Sequence, residues 1–540
     1  MVSLLRQPDF ACGATEASDF RFEENMTNDV KFDYVVEKDS AKVVVYPSGS
    51  PVKYLKLRFE GDMQNVDKVM GDQWERAGLR AFLEWRSVMA SRILPWFCYA
   101  IADGQMACYG VKTGADCMAF FQIDPDGVTL FLDLTCGADG TDLQQPLNAC
   151  EVVELFGNKG DDYYKTAVEF AGKMCVNPVL PKEPIYGVNN WYWAYGDVSH
   201  EIVMEETDQL VKLAQGCKHR PYMIIDDGWQ KNRKVGKACG EGCVYIGGEW
   251  LPNERFPDIA NTAKCIHNKG AKAGIWFRPM LTRGDVPAEA HLADECGGIV
   301  LDPTHPYTLN KIREDAKRIA GWGFDLIKHD FSSVDIAGTL TLSSEMVEYN
   351  FCKPDRHFYD RTKTTATIMK NIYKTIQEGA GKDVEVIGCN TVSHLTVGIH
   401  SAYRIGNDTS GRAFEWTRRD GVNCLMRLPL NNIFYNADPD CAPFTDRVKF
   451  EANLDFLELC ALTGMTTLAS IKPGLLTEEQ MKEVNRVFRL ADEGKGDYTI
   501  ADFDKNANPE IFVSGDGKTV KRYNWNKVYR GSRVIVDWFH

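Results

Sequence analysis

At 540 residues, 44% apolar and 26% charged, the chain is too long for one compact core and too ordinary in composition for extended disorder. A net charge of −14 with no compensating basic run argues against nucleic acid or anionic membrane as partner, and the absence of an 18-residue apolar window argues against a transmembrane helix. The opening MVSLLRQPDF shows no charged segment followed by a long apolar run. A cytoplasmic chain is therefore expected, a processed exported protein being the alternative.

In chain order, residues 1–180 read as mostly strands. AKVVVYP, YLKLRFEG, WFCYAIADG, QMACYGVKTG, CMAFFQIDPDG and VTLFLDLTCG are β-branched and aromatic runs with hairpin signals at ADGQ and DPDG. The expectation is an N-terminal β-sandwich interrupted by one helix near Gln73–Met89. NPVLPKEP (177–184) marks a boundary. Over 181–495, short apolar runs near IYGVNN, PYMIID, KAGIWF, FDLIKHD, VEVIGC, AYRIG, NNIFYN and MTTLAS alternate with amphipathic segments. That alternation predicts a (β/α)8 TIM barrel, with little room for a helix between the fifth and sixth strands. Residues 496–540, with EIFVSG, VKRYNWN and SRVIVDWF, predict a small C-terminal β domain. The fold class is thus multi-domain α/β.

Seventeen cysteines, an odd number, read as mostly reduced thiols. Cys239 and Cys243 lie in a Gly-rich C-x3-C loop without further ligand spacing, so no metal is expected there.

Barrel chemistry sits at the C-terminal ends of strands, which directs attention to acids that end apolar runs. Asp226 and Asp227 end PYMIIDD, Asp330 ends FDLIKHD, Asp408 follows AYRIG, and Asp438 and Asp440 follow NNIFYN. Any one could be a helix cap; several on one rim are harder to explain that way. Lys328 and Asp330, two apart on a strand, share a face, and the ammonium is expected to keep Asp330 ionised as a nucleophile. Arg404 is expected to orient substrate or a neighbouring carboxylate, with Asp408 as general acid/base. For Asp408 the alternative is turn chemistry in NDTSG.

These residues resemble clan-D α-galactosidases, glycoside hydrolase families 36 and 27. GVNNWYW resembles the family's first strand, with Asn190 where Ser is usual. IIDDGWQ resembles its D-D-G-W strand end, LIKHDF its K-x-D nucleophile strand, YRIGND its R-x-x-x-D element and NADPD its N-D-P-D loop. GGEWLPNERFP, GAKAGIWFRP and LASIKPGLLT match in the same order, and GDQWERAGLRAFLEW with the leading β region favours family 36. The resemblance implies double displacement at an α-galactosyl centre: Asp330 attacks, while Asp408 protonates the leaving oxygen and then activates water. It further implies that Asp226 and Asp227 bind sugar hydroxyls. Trp191, Trp229, Trp276, Lys328, Cys389, Asn390, Arg404 and Asp440 complete the expected substrate site. No metal or organic cofactor is implied, the partner is a carbohydrate, and a homo-oligomer is left open.

Two departures bear on substrate. Cys389-Asn390-Thr391 replaces Cys-Ser-Gly at the loop that touches the C2 substituent, which keeps α-N-acetylgalactosaminidase activity as an alternative. Arg278 stands where an acid is usual. A raffinose-synthase-like transglycosylase and a catalytically dead sugar-binding protein are the other readings. Trp191, Trp193 and Trp229 are candidates for stacking on sugar, with core packing as the rival role. His394 and His400 are candidate substrate contacts, whereas His329 has the opposite strand parity and is expected behind the barrel.

Overall fold

The structure, a computed structural model, describes residues 1–18, 29–77, 82–87, 92–231, 249–295, 298–339 and 351–527. The expected motifs at Cys239–Cys243 and in SRVIVDWF lie outside the described residues.

The N-terminal part forms a five-stranded and a six-stranded antiparallel sheet. All six expected runs are strands. The ADGQ hairpin joins Phe97–Ala102 to Gln105–Val111, with Asp103 and Gly104 both at positive φ (52° and 77°), the backbone a tight two-residue hairpin requires. The chain passes from one sheet to the other through buried Trp96, itself at φ 65°. The helix expected near Gln73 is not there: described residues 73–77 and 82–87 are irregular. The Arg427 guanidinium takes the carbonyls of Gln73 (3.0 Å) and Glu75 (2.5 Å), so these groups are unavailable for helical bonds. Ala77 instead bridges to Gly406.

The central sheet is parallel, and its strand order returns to where it began. Tyr186–Asn189, Tyr222–Ile225, Lys272–Phe277, Leu326–His329, Glu385–Gly388 and Ala402–Arg404 lie side by side. The seventh position is split: Asn436–Asp438 pairs with the sixth strand, and Ala442–Phe444 pairs with the eighth, Thr467–Ile471. The eighth strand pairs with the first. The seventh strand begins only at Asn436, the last residue of NNIFYN, because residues 431–435 form a turn bridged between Asn431 and Tyr435.

Between strands run His200–Leu213, Ile259–Lys269, Pro306–Gly321 and Thr365–Ala380, capped by Ser199, Asp258, His305 and Thr364. Only the short Ser393–Thr396 turn separates the fifth and sixth strands. Phe450–Leu462 and Glu478–Glu493 follow the seventh and eighth. A three-stranded sheet (Thr499–Ile500, Ile511–Val513, Val520–Arg522) ends the described chain, and the neighbouring Phe503 packs against Trp85, Tyr99 and Tyr164.

Candidate active site

Strand parity builds the site. Ile185, Tyr222, Ile224, Leu326, Ile387, Ala402 and Leu468 form one apolar cluster. The residue two places on shares the face of each strand member of this plug. That rule puts Asp226, Lys328, Cys389, Arg404 and Ser470 in the next layer, and Asp330 one step above Lys328. Trp191, Tyr192 and Cys441 cap the cluster.

Lys328 Nζ donates to Asp226 Oδ2 at 2.7 Å, and Asn189 Nδ2 donates to the same oxygen at 2.6 Å. The expected direct partner of Lys328 was Asp330; the shorter reach across the barrel to Asp226 prevails. Burial pulls the ammonium pKa down, but Asp226, with Cys389 and Asp330 behind it, holds it well above its usual value. Asp330 is half-buried, accepting from Trp276 Nε1 (3.1 Å) and Phe331 N (2.9 Å). Phe331 then turns sharply, at φ 62°.

Asp408 lies across from this group, its side chain 42% exposed. Its Oδ1 accepts from both Arg404 and Arg76, each at 3.0 Å. Burial pushes the carboxyl up, but Arg76, Arg404 and Lys328 together hold it below the usual carboxylate range. Arg404, wholly buried, also donates to Asp440 Oδ2, which takes the Tyr192 hydroxyl and Thr409 N (2.8 Å) as well. Asp440 is thus a brace for Arg404. Buried Asp438, beside Arg404 in register, has its pKa raised to about 6 by burial.

Other expected site residues are placed differently. Asp227 has the opposite parity to Asp226 and accepts from Gln230 Nε2 at 2.5 Å. Trp229 is wholly buried, its indole N–H on the Trp276 carbonyl (2.9 Å) and its ring against Trp250 and Trp322, which is the packing role rather than an open stacking face. Trp191 is nearly buried beside Tyr195. Trp193 donates to Glu206 (2.7 Å), a buried acid raised to about 8 by burial, which also takes Asn190 Nδ2 at 3.2 Å. Cys389 is buried, with its thiol pushed up by burial and 3.6 Å from Arg404 Nη1. Arg278 does not face the mouth: it is sealed by Asp335 (2.5 Å) and Glu295 (3.1 Å) and covers the Phe331 ring at 4.2 Å.

The histidines are structural. His394 stacks on Trp96 and pairs its Nε2 with the Val111 carbonyl (3.0 Å). His400 and His329 face one another through their Nε2 atoms at 3.1 Å. Burial lowers all three, to about 3 for His329 and His394.

Sequence reasoning overlooked Glu75 and Arg76, which reach the mouth from the N-terminal part, along with Tyr192 and Asn189. The W-E-R triplet carried a signal only as part of a family-like stretch; nothing local pairs it with residues more than 300 positions away.

The fold, a parallel barrel preceded by two antiparallel sheets, is similar to that of solved α-galactosidases. TtGalA, an α-galactosidase from Thermus thermophilus solved with p-nitrophenyl α-D-galactopyranoside, superposes with a TM-score of 0.60 at 15% identity over 91% of this chain and 95% of that one. The GH36 α-galactosidase AgaA from Geobacillus stearothermophilus gives 0.58 at 13% identity over 94% and 81%. In sequence, the chain is similar to α-galactosidase 2 of Arabidopsis thaliana, 23% identical over 161 residues (30% of this chain, 34% of that protein). It is likewise similar to an α-galactosidase of Oryza sativa subsp. japonica, 26% identical over 153 residues (28% and 30%). The matched stretch spans about a third of the length of these curated relatives. No protein-family model matches the chain. Among the described residues, no helix is long and apolar enough to cross a membrane.

Proposed function

We propose that the chain is a retaining exo-glycosidase that hydrolyses terminal α-galactosides, with Asp330 as nucleophile and Asp408 as acid/base. The observation that carries this reading is the unequal treatment of the two mouth carboxylates. Asp330 is aimed by an indole and a backbone N–H, whereas Asp408 has one oxygen fixed by two guanidiniums and its carboxylate half-open. In this mechanism Asp330 attacks the anomeric carbon as Asp408, which must first take up a proton against the pull of Arg76 and Arg404, delivers it to the departing oxygen. Asp408 then takes a proton from water, which displaces Asp330. The Lys328–Asp226 pair and Trp276 form the floor and wall of the sugar site, and Arg404 positions Asp408. The relatives' names and the galactoside in the TtGalA structure support galactose as the sugar. The proposed domains are 1–180, a β-sandwich; 181–495, the barrel; and 496–540, a small β unit.

The test is turnover of aryl α-galactoside, α-N-acetylgalactosaminide and β-L-arabinopyranoside, with the first-formed anomer followed by NMR and an acceptor sugar added in parallel. Galactoside cleavage with α-galactose appearing first, abolished by Asp330→Ala, is expected. Unchanged turnover in that variant, or β-galactose first, refutes the mechanism. Transfer to acceptor in preference to water would make the chain a transglycosylase.

A further inference from the structure

The strap Asp72–Ala77 belongs to the N-terminal part but lies in the barrel mouth. Arg427 anchors it, with Nε on Asp72 Oδ1 at 2.6 Å and Nη2 on the carbonyls of Gln73 and Glu75. The Arg427–Asp72 pair is wholly buried, so the anchor is shielded from salt. Ala77 completes the hold: its N–H donates to the Ile405 carbonyl at 2.9 Å, and its carbonyl accepts from Asn407 N at 2.7 Å. Asn407 immediately precedes Asp408, so the strap is bonded directly to the acid/base loop.

Two side chains of the strap are paired with each other, Arg76 Nε donating to Glu75 Oε1 at 3.1 Å, and each reaches on toward a different carboxylate. Arg76 Nη1 reaches Asp408 Oδ1 at 3.0 Å and shares that oxygen with Arg404. Glu75 accepts from Asn390 Nδ2. With its amide nitrogen held there, Asn390 turns its Oδ1 to Phe331 N at 3.3 Å, and its own carbonyl takes Ser333 N at 3.1 Å. Phe331 N is also the donor to Asp330 Oδ1. The left-handed turn at Phe331 is strained for a side-chain-bearing residue and needs such outside support.

We infer that Glu75 and Arg76 are positioning residues for the two reacting carboxylates: Glu75 sets the Asp330 turn through Asn390, and Arg76 fixes the Asp408 carboxylate. This rests on the roles proposed above for Asp330 and Asp408. It makes the N-terminal part a component of the active site, with Arg76 adding to the hold that Arg404 of the barrel already has on Asp408.

The experiment uses 5-fluoro-α-D-galactosyl fluoride on the full chain. Asp330 attacks the anomeric carbon, the carbon–fluorine bond breaks and fluoride departs with the electron pair. The resulting ester is read as a mass increment on the peptide containing Asp330. Fluoride leaves without protonation by Asp408, so the labelling rate reports the nucleophile alone. Glu75→Ala and Asn390→Ala are each expected to slow labelling at least tenfold, the double variant no further, and Glu75→Gln, which keeps an acceptor for Asn390, to restore most of the rate. Arg76→Gln is expected to label within about threefold of the parent while its kcat on an unactivated α-galactoside falls at least tenfold. Labelling as fast in Glu75→Ala as in the parent, or fully multiplicative effects of the Glu75 and Asn390 changes, overturns the Glu75 part. An unaltered kcat in Arg76→Gln overturns the other. Failure of the unsubstituted chain to label at Asp330 refutes the nucleophile assignment instead, so the two outcomes are distinguishable. Circular dichroism and thermal midpoint on each variant separate loss of fold from loss of position.

Discussion

Glu206 provides a sharp test of how burial governs this structure. It lies on the helix His200–Leu213 and accepts from Trp193 Nε1 and Asn190 Nδ2, with no cation among its hydrogen-bond partners. Burial raises its pKa from an ordinary 4.5 to about 8, so at pH 7 the folded chain keeps a proton that the unfolded chain has released. Stability from this group is therefore fully present below pH 4.5 and lost as pH rises toward 8. At pH 7 the loss is about 2.5 units at 1.36 kcal/mol each, or roughly 3 kcal/mol. Glu206→Gln removes that dependence. It keeps an acceptor for Trp193 but turns an amide N–H₂ toward Asn190, at a cost of about 1–2 kcal/mol. The variant is thus expected to be less stable than the parent by about 1–2 kcal/mol at pH 4 and more stable by a similar amount at pH 7. Urea unfolding of both proteins by tryptophan fluorescence, at half-unit steps from pH 4 to 8, gives the difference directly. Two curves that run parallel across this range would refute the reasoning, because they would mean Glu206 titrates alike in both states.

Replacing either end of a buried ion pair should be expensive. Lys328→Met leaves Asp226 buried without its cation and is expected to destabilise by about 3–5 kcal/mol, with much of the loss recovered by adding Asp226→Asn; an unchanged thermal midpoint for the single variant would contradict this. Arg278→Met strands the fully buried Asp335 and uncovers the Phe331 ring, with a similar expected loss. The double variant Arg278→Met/Asp335→Asn should unfold closer to the parent, and equal midpoints for single and double variants would show that the charge was not the cause.

Much of the barrel was legible because strand-end chemistry follows a two-residue period. Asp226, Lys328, Cys389 and Arg404 could be placed in one layer from parity alone, and His329 behind it. What the period cannot report is which members of a layer bond one another. Lys328 was therefore matched with its neighbour Asp330, when Asp226 lay nearer across the barrel. Motif membership misled for Trp229, since a D-D-G-W string does not say whether the indole faces sugar or helix. The strap was read as helix because its propensity is helical; Arg427, more than 350 positions away for Gln73 and Glu75, decides otherwise.

The split seventh strand has a consequence for how the molecule comes to be. Its two halves flank only residues 439–441, while the strand pairing that completes the ring joins Tyr186–Asn189 to Thr467–Ile471, about 280 residues apart in sequence. Loop-closure entropy makes such a pairing slow relative to the neighbouring strand–helix units. The acidic segment at the seam, with Asp440 at φ 79° against Arg404, settles only when that last registration is made. The plug beneath draws Ile185 and Leu468 from the two sides of that same pairing, so plug and charged mouth are expected to be completed in one late step.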